Sequence, residues 1–178
     1  MPESDLAVFD FTAFVDAFDA ERQARGLGWY EFAEELWDQS DRPQRKPPGR
    51  PLPLRRPISR LRARGATSCQ YALFMLRWLD RAPEDFLTGP TRDVGDTRLP
   101  KAGPNRRLRW NLNALHSALN DQRQRAGLTW SALADEIGYT PSRLTNLRTA
   151  RLADLELTMR TTQWLTRPAA AFIHPAQW

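Results

Sequence analysis

Residues 123–148 read RQRAGLTWSALADEIGYTPSRLTNLR, and this stretch decides the fold that the chain can adopt. Gly127 stands where a long helix with leucines at helical spacing should end. Thr129 then predicts the N-cap of a short second helix. After a tight turn, Thr140 and Pro141 suit the N-cap and the first position of a third helix.

The residues that follow continue the helical pattern. Leu144 and Leu147 have the spacing of a buried helix face, Asp154 can cap a fourth helix, and Pro168 suits the start of a fifth that ends near Phe172. No alternating strand pattern of useful length is visible. The chain is therefore expected to be all-α.

The chain also repeats itself. Residues 18–37 match 119–138 at a spacing of 101, and further on the spacing is 86. The identical pairs are Arg22/Arg123, Gln23/Gln124, Gly26/Gly127, Leu27/Leu128, Trp29/Trp130, Ala33/Ala134, Glu35/Glu136, Leu61/Leu147, Arg62/Arg148, Trp78/Trp164, Leu79/Leu165, Arg81/Arg167 and Phe86/Phe172. The change in spacing predicts a 15-residue insertion within about 38–57 of the first copy. We expect domains at 9–87 and 108–178, joined by a linker at about 88–107.

The order of residues at 123–148 resembles the lambda-repressor-like (xenobiotic-response-element type) helix-turn-helix family, and residues 79–87 and 165–173 resemble the last helix of that family. The resemblance covers most of both copies. It implies two tandem five-helix helix-turn-helix domains, the first with a Pro/Arg-rich insertion between its second and third helices. It also implies that the third helix enters the major groove of DNA.

Carried over by position, the resemblance assigns base reading to Ser142, Arg143, Thr145 and Asn146. Arg143 suits the O6/N7 edge of guanine and Asn146 suits the N6/N7 edge of adenine. The expected phosphate contacts in the second copy are Thr129, Trp130, Ser131, Thr140, Arg148 and Arg151. For Trp130 two interpretations stay open: packing against the protein, or an indole N–H donated to a phosphate.

The first copy departs from the pattern, because Pro57 is expected to begin its third helix late and shorten it. The residues expected to contact phosphates there are Arg55, Arg56, Ser59, Arg60, Arg62 and Arg64. Before them, residues 46–51 resemble the Gly-Arg-Pro centre of an AT-hook, which predicts minor-groove contacts by Arg45, Lys46 and Arg50. The alternative for this stretch is a solvated loop.

The charge of the chain is strongly segregated. Residues 1–41 carry a net −9, residues 42–79 carry +10 without one acid, and residues 80–178 carry +4, which gives the formal net charge of +5. A basic run of this length faces solvent, the acidic N-terminal segment or a polyanion. Phosphate contact is the sharper of these interpretations.

Several functional classes find no support in the sequence. Cys69 is the single cysteine, the two histidines are His116 and His174, and no phosphate-binding glycine loop or nucleophile motif is present. We therefore expect no enzyme activity, no cofactor and no metal. The chain contains no apolar run of about 20 residues, and its acidic N-terminus is unlike a signal peptide, so we expect a cytoplasmic, nucleoid-associated protein.

These patterns predict a sequence-specific double-stranded DNA-binding protein, a bacterial or phage transcriptional regulator that represses by occlusion. A flexible linker with a random-coil span of roughly 25 Å would let one chain, as a monomer or weak homodimer, occupy two adjacent grooves of an asymmetric site. Two alternatives remain. One is a helix-turn-helix protein-interaction or antitoxin-like module, and the other is an architectural protein that reads DNA shape.

Overall fold

Capping side chains set where the longer helices begin. In five of them a side-chain oxygen at the N-cap accepts the backbone N–H three residues later, over 2.9–3.4 Å. These N-caps are Asp10, Ser68, Asn111, Thr129 and Asp154. Each satisfies one of the N–H groups that a helix start leaves without an internal partner.

The computed structural model describes residues 5–40, 60–103 and 106–177. Within these ranges the chain is mostly helical, as the expected all-α class requires, and holds eight α-helices. They are α1 Phe11–Ala24, α2 Trp29–Ser40, α3 Leu61–Arg64, α4 Cys69–Leu79, α5 Leu112–Arg125, α6 Trp130–Ile137, α7 Pro141–Thr145 and α8 Leu155–Leu165. Short 3-10 helices lie at Pro83–Phe86, Asn146–Arg148 and Ala169–Phe172.

Two small antiparallel sheets depart from the sequence expectation. β1 (Val8–Phe9) pairs with β2 (Leu87–Thr88), and β3 (Arg106–Trp110) pairs with β4 (Ile173–Gln177). The first pair is too short to leave a pattern in the sequence. In β3 the alternation exists, since Leu108 is buried and its neighbours are not, but three arginines conceal it.

Most of the described elements recur in the same order in residues 5–88, called here the first half, and 106–177, the second half. At the repeat spacing of 86, α3 overlaps the 3-10 helix that follows α7, and the equivalents of α7 itself lie outside the described residues. Helices α1 and α5 both have 14 residues and begin 101 positions apart. Helices α4 and α8 both have 11 residues, begin 86 positions apart, and end at a left-handed residue, Asp80 (φ 54°) or Thr166 (φ 55°). In each half the first strand pairs with the last.

The linker between the halves lies against the protein. Thr88 belongs to β2, and residues 106 and 107 belong to β3, so the expected linker is shortened at both ends. Arg92 donates to the Gln163 and Trp164 carbonyls over 3.3 and 2.9 Å, which satisfies the end of α8. The segment at Arg92 thus contacts α8, whereas composition predicted a freely extended linker.

Both halves contribute to one continuous apolar core. At their junction the Trp110 indole N–H donates to the Cys69 carbonyl over 3.2 Å, in a buried position. Burial also raises the pKa of the Cys69 thiol to about 11, so this cysteine behaves as a small apolar side chain. The two halves therefore bury their apolar side chains in a shared core.

Candidate nucleic-acid interface

Helix α7 and the 3-10 helix after it form an exposed segment that two buried leucines anchor to the core. Leu144 and Leu147 are 0% and 1% exposed and insert into the core. Around these anchors Ser142, Arg143 and Asn146 are exposed, as is Arg148, whereas Thr145 is half-buried. The backbone enters the segment through Gly138, whose φ of 85° ends α6 in a left-handed turn, and Pro141 takes the first helical position.

Two threonines of this segment differ from expectation. Thr140 occupies the N-cap of α7, but its side chain makes no capping hydrogen bond, and its hydroxyl lies 3.3 Å from that of Ser142. Thr145 donates its hydroxyl to the Ser142 carbonyl over 3.2 Å. Because that proton is used within the helix, Thr145 is a weaker candidate for base reading than Arg143 or Asn146.

Arg143 is oriented by an aromatic ring. Its guanidinium lies 4.8 Å from the centroid of Tyr139, one turn earlier, and Arg160 approaches the same ring at 5.9 Å. Arg160 is itself held by the Ile137 carbonyl at 3.0 Å and by Glu156. Burial, with the nearby acids adding to it, raises the pKa of Tyr139 to about 12, so the ring stays neutral.

The start of α6 lies in the same half, and its first turn carries small hydroxyl side chains. Thr129 caps the helix by accepting the Ala132 N–H over 3.1 Å, and Ser131 is exposed. Trp130 instead packs against the protein: the His116 ring stacks on it at 5.3 Å and the Arg123 guanidinium lies 4.7 Å from its centroid. Of the two interpretations of Trp130, the structure shows packing.

Sequence reasoning did not single out two residues that hold this surface. Asn113 donates its side-chain amide to the Arg148 carbonyl over 2.9 Å and ties the 3-10 helix to α5. Tyr139 supports Arg143. Tyr139 lies in the turn before α7, so helical spacing does not predict its contact with Arg143, and nothing in the sequence around Asn113 indicates its contact.

Arginines of the first half are also exposed, at Arg60, Arg62 and Arg64 of α3 and its N-cap. Arg62 forms an ion pair of 2.6 Å with Asp16 of α1. The equivalent arginine in the second half is Arg148, where Ser117 replaces the acid. A phosphate would therefore compete with Asp16 for Arg62 but meets no such acid at Arg148.

Arg151, another expected phosphate contact, is exposed beyond the 3-10 helix. The other expected contacts lie outside the described residues, namely Arg45, Lys46, Arg50, Arg55, Arg56 and Ser59, and so does Pro57, the expected start of the third helix. Of the expected insertion, residues 38–40 belong to α2.

A surface cleft lies between the end of α4 and the linker. Its charged groups mostly pair with one another: Arg81 bonds Asp85 over 2.9 Å, and Arg98 bonds Asp96 over 2.8 Å. The hydrogen bonds from Arg98 lower the pKa of Asp96 to about 2. Because these charges are already matched, the cleft offers no clear preference for one ligand class.

Comparisons with other proteins add no assignment to this geometry. No protein-family model matches the chain, and searches of curated proteins and of solved structures return no match. Among residues 5–40, 60–103 and 106–177, no helix has the length and apolar character to cross a membrane. The same ranges hold no group of three or more His, Cys, Asp or Glu residues placed to bind a metal ion.

Proposed function

We propose that this chain is a sequence-specific double-stranded DNA-binding protein and that α7 with its following 3-10 helix reads bases in the major groove. The observation that carries the proposal is the anchored, exposed segment itself. Two buried leucines fix it, while Arg143 and Asn146 project from it with the donor and acceptor groups that purine edges require. Buried anchors of this kind hold the side chains above them in defined positions, which base discrimination needs.

Charge around the segment favours a polyanion. Residues 137–153 contain Arg143, Arg148 and Arg151 and no acid. Thr129 and Ser131 at the start of α6 add hydroxyls in the same half, as does Thr140, and phosphate contacts of this type set the register of a protein on DNA. Repression by occlusion is the simplest mode of regulation for this arrangement, since bound protein alone blocks the site.

The reading assignment is tested with duplexes selected from a random pool. Arg143→Ala and Asn146→Ala should each reduce the preference for the selected duplex over random duplex by about 5- to 150-fold, the equivalent of 1–3 kcal/mol. Arg148→Ala should instead weaken both duplexes alike and make the salt dependence of affinity less steep. Fluorescence anisotropy between about 50 and 200 mM salt measures both effects.

Arg98→Ala is the matched control, because it removes the same charge from the linker, where Arg98 pairs with Asp96. Preference that survives both Arg143→Ala and Asn146→Ala would refute the reading assignment. Absence of binding to any duplex at low salt would refute DNA binding and favour the protein-interaction module.

A further inference from the structure

Equivalent positions of the two halves meet each other. Ser68 and Asp154 are 86 residues apart, the spacing of the repeat, and they form an isolated antiparallel bridge. On either side of it, the Cys69 N–H donates to the Ala153 carbonyl over 2.7 Å, and the Leu155 N–H donates to the Thr67 carbonyl over 3.0 Å. A surface that contacts its own equivalent defines an isologous, two-fold interface.

A second set of contacts is reciprocal in the same way. The Phe9 N–H of β1 donates to the Glu156 carboxylate of α8 over 3.2 Å. Trp110, the equivalent of Phe9, donates its N–H to the side-chain carbonyl of Gln70, the equivalent of Glu156, over 3.4 Å. Each half thus places its first strand on the 11-residue helix of the other, as a pseudo-two-fold axis requires.

The axis lies near the ends of α3 and of the 3-10 helix that follows α7. A groove at this point is lined by the end of α3 and the residues after it on one side and by residues beyond the 3-10 helix on the other, namely Arg64, Ala66, Thr67, Ser68, Leu152, Ala153 and Asp154. Because a two-fold axis relates equivalent elements by a half-turn, α3 and the 3-10 helix extend from it in opposite directions. Two elements related in this way can contact two half-sites of a duplex in inverted orientation, when the two-fold axis of the duplex coincides with that of the protein.

We infer that the chain is a covalently joined pseudo-dimer that binds, one chain per duplex, two half-sites in inverted orientation. The inference rests on the proposed function. A pseudo-dimer differs from the freely linked modules expected from the sequence. Freely linked modules would bind direct and inverted repeats of a half-site equally well. Because the interface is built into the chain, the spacing between half-sites is fixed by the fold and does not follow linker length.

The two half-sites are unequal. Arg60 of the first half stands at the position of Asn146, and Arg64 stands at that of Ala150. The exposed arginines of α3 and its N-cap suit phosphate contacts, while α7 and its following 3-10 helix carry the varied side chains of base readout. The preferred duplex is therefore an inverted pair with one strongly and one weakly specified half.

The test begins from the duplex selected in solution and reverses only its weaker half in place. Affinity should fall at least about tenfold, as should the affinity of a duplex with five extra base pairs between the halves, which turns one half to the opposite face. Native mass spectrometry should find one chain per duplex. Equal affinity for the direct orientation, or two chains on one symmetric site, would overturn the inference.

A DNA-free measurement separates this inference from the proposed function. In dilute monomer, the amides of Cys69 and Leu155 should exchange with solvent as slowly as the core amides of α4 and α8, because they bond across the axis. Fast exchange at these two amides overturns the pseudo-dimer even if duplex binding is found. Slow exchange without any duplex binding supports the two-fold interface and rejects only its use on DNA.

Discussion

Arg22 and Arg123 hold the same turn in the two halves. Each guanidinium lies over a tryptophan ring, 4.2 Å from the centroid of Trp29 and 4.7 Å from that of Trp130. Each also donates to the carbonyl five residues later, over 2.6 and 2.7 Å. The contacts that set the angle between the first two helices are therefore the same in both halves.

The two halves begin to differ in structure immediately after their second helix. In the second half Gly138 adopts a left-handed φ of 85° and α6 ends at Ile137. In the first half Trp37 stands at that position, where no glycine eases a left-handed turn, and α2 continues to Ser40. The scaffold is retained while the surface proposed to read DNA has changed, which indicates different tasks for the two halves.

Their cores differ as well. In the first half five buried phenylalanine rings contact one another in edge, tilted or stacked arrangements, and only one of their five equivalents is a phenylalanine. The corresponding pairs are Phe9/Trp110, Phe14/Leu115, Phe18/Leu119, Phe32/Leu133 and Phe86/Phe172. Aromatic contacts thus stabilise the first half where aliphatic packing stabilises the second.

The largest expected effect tests whether these cores act together. Phe18→Ala and Leu119→Ala remove equivalent side chains that are both 0% exposed. We expect losses in the free energy of unfolding of about 3–5 and 2–5 kcal/mol, respectively. Because the core is continuous, urea unfolding of each variant should remain one transition.

Two transitions, of which Phe18→Ala shifts only one, would show that the halves unfold separately. The two halves would then be independent domains, each with its own free energy of unfolding.

A smaller effect on stability is expected at a second contact that both halves share. The Trp78 indole N–H donates to Glu35 over 2.6 Å, and that of Trp164 donates to Glu136 over 2.7 Å. Only Trp78 also carries a stacked arginine, Arg25, 4.3 Å from its centroid.

Each tryptophan-to-phenylalanine change should therefore destabilise the protein by about 1 kcal/mol through the lost hydrogen bond, with a further increment at Trp78. Thermal unfolding measures the difference. An equal or smaller loss for Trp78→Phe than for Trp164→Phe would mean that the stacked arginine contributes nothing.

The smallest expected effect concerns Glu84, whose equivalent in the second half is Ala170. Its Oε1 accepts the Ala169 N–H across the interface over 2.6 Å, and its buried Oε2 has no hydrogen-bond partner among the described residues. Burial raises the pKa of this carboxyl, and the charge of Asp85 adds to the rise.

A raised pKa means that the folded protein favours the protonated form. The stability that this proton confers is present below the ordinary pKa of glutamate and is lost as pH rises through the raised value. Glu84→Gln, which stays neutral, should therefore gain stability relative to the unmodified protein between about pH 4 and pH 7. A difference that stays constant over this range, or falls with pH, would contradict the direction of the shift.

Much of the candidate site follows from local rules. Pro141 at the first position of α7, Gly138 at the preceding turn and the buried pair Leu144 and Leu147 all stand where their residue types predict. The exposure of Arg143 and Asn146 then follows from helical periodicity. By contrast, the stacking of Trp130 and the hydrogen bond from the Asn113 side-chain amide depend on which helices pack together, and no local pattern carries that information.

The helices and their caps could be predicted from the residues because they depend on interactions within a few positions, and the repeat spacings of 101 and 86 are visible in the order of residues. Only the tertiary structure decided that Ser68 meets Asp154, that short strands close each half and that the linker lies against α8. Those contacts join groups far apart in the chain, and their free energy comes from shared burial and paired backbone groups, which exist only once both halves are folded together.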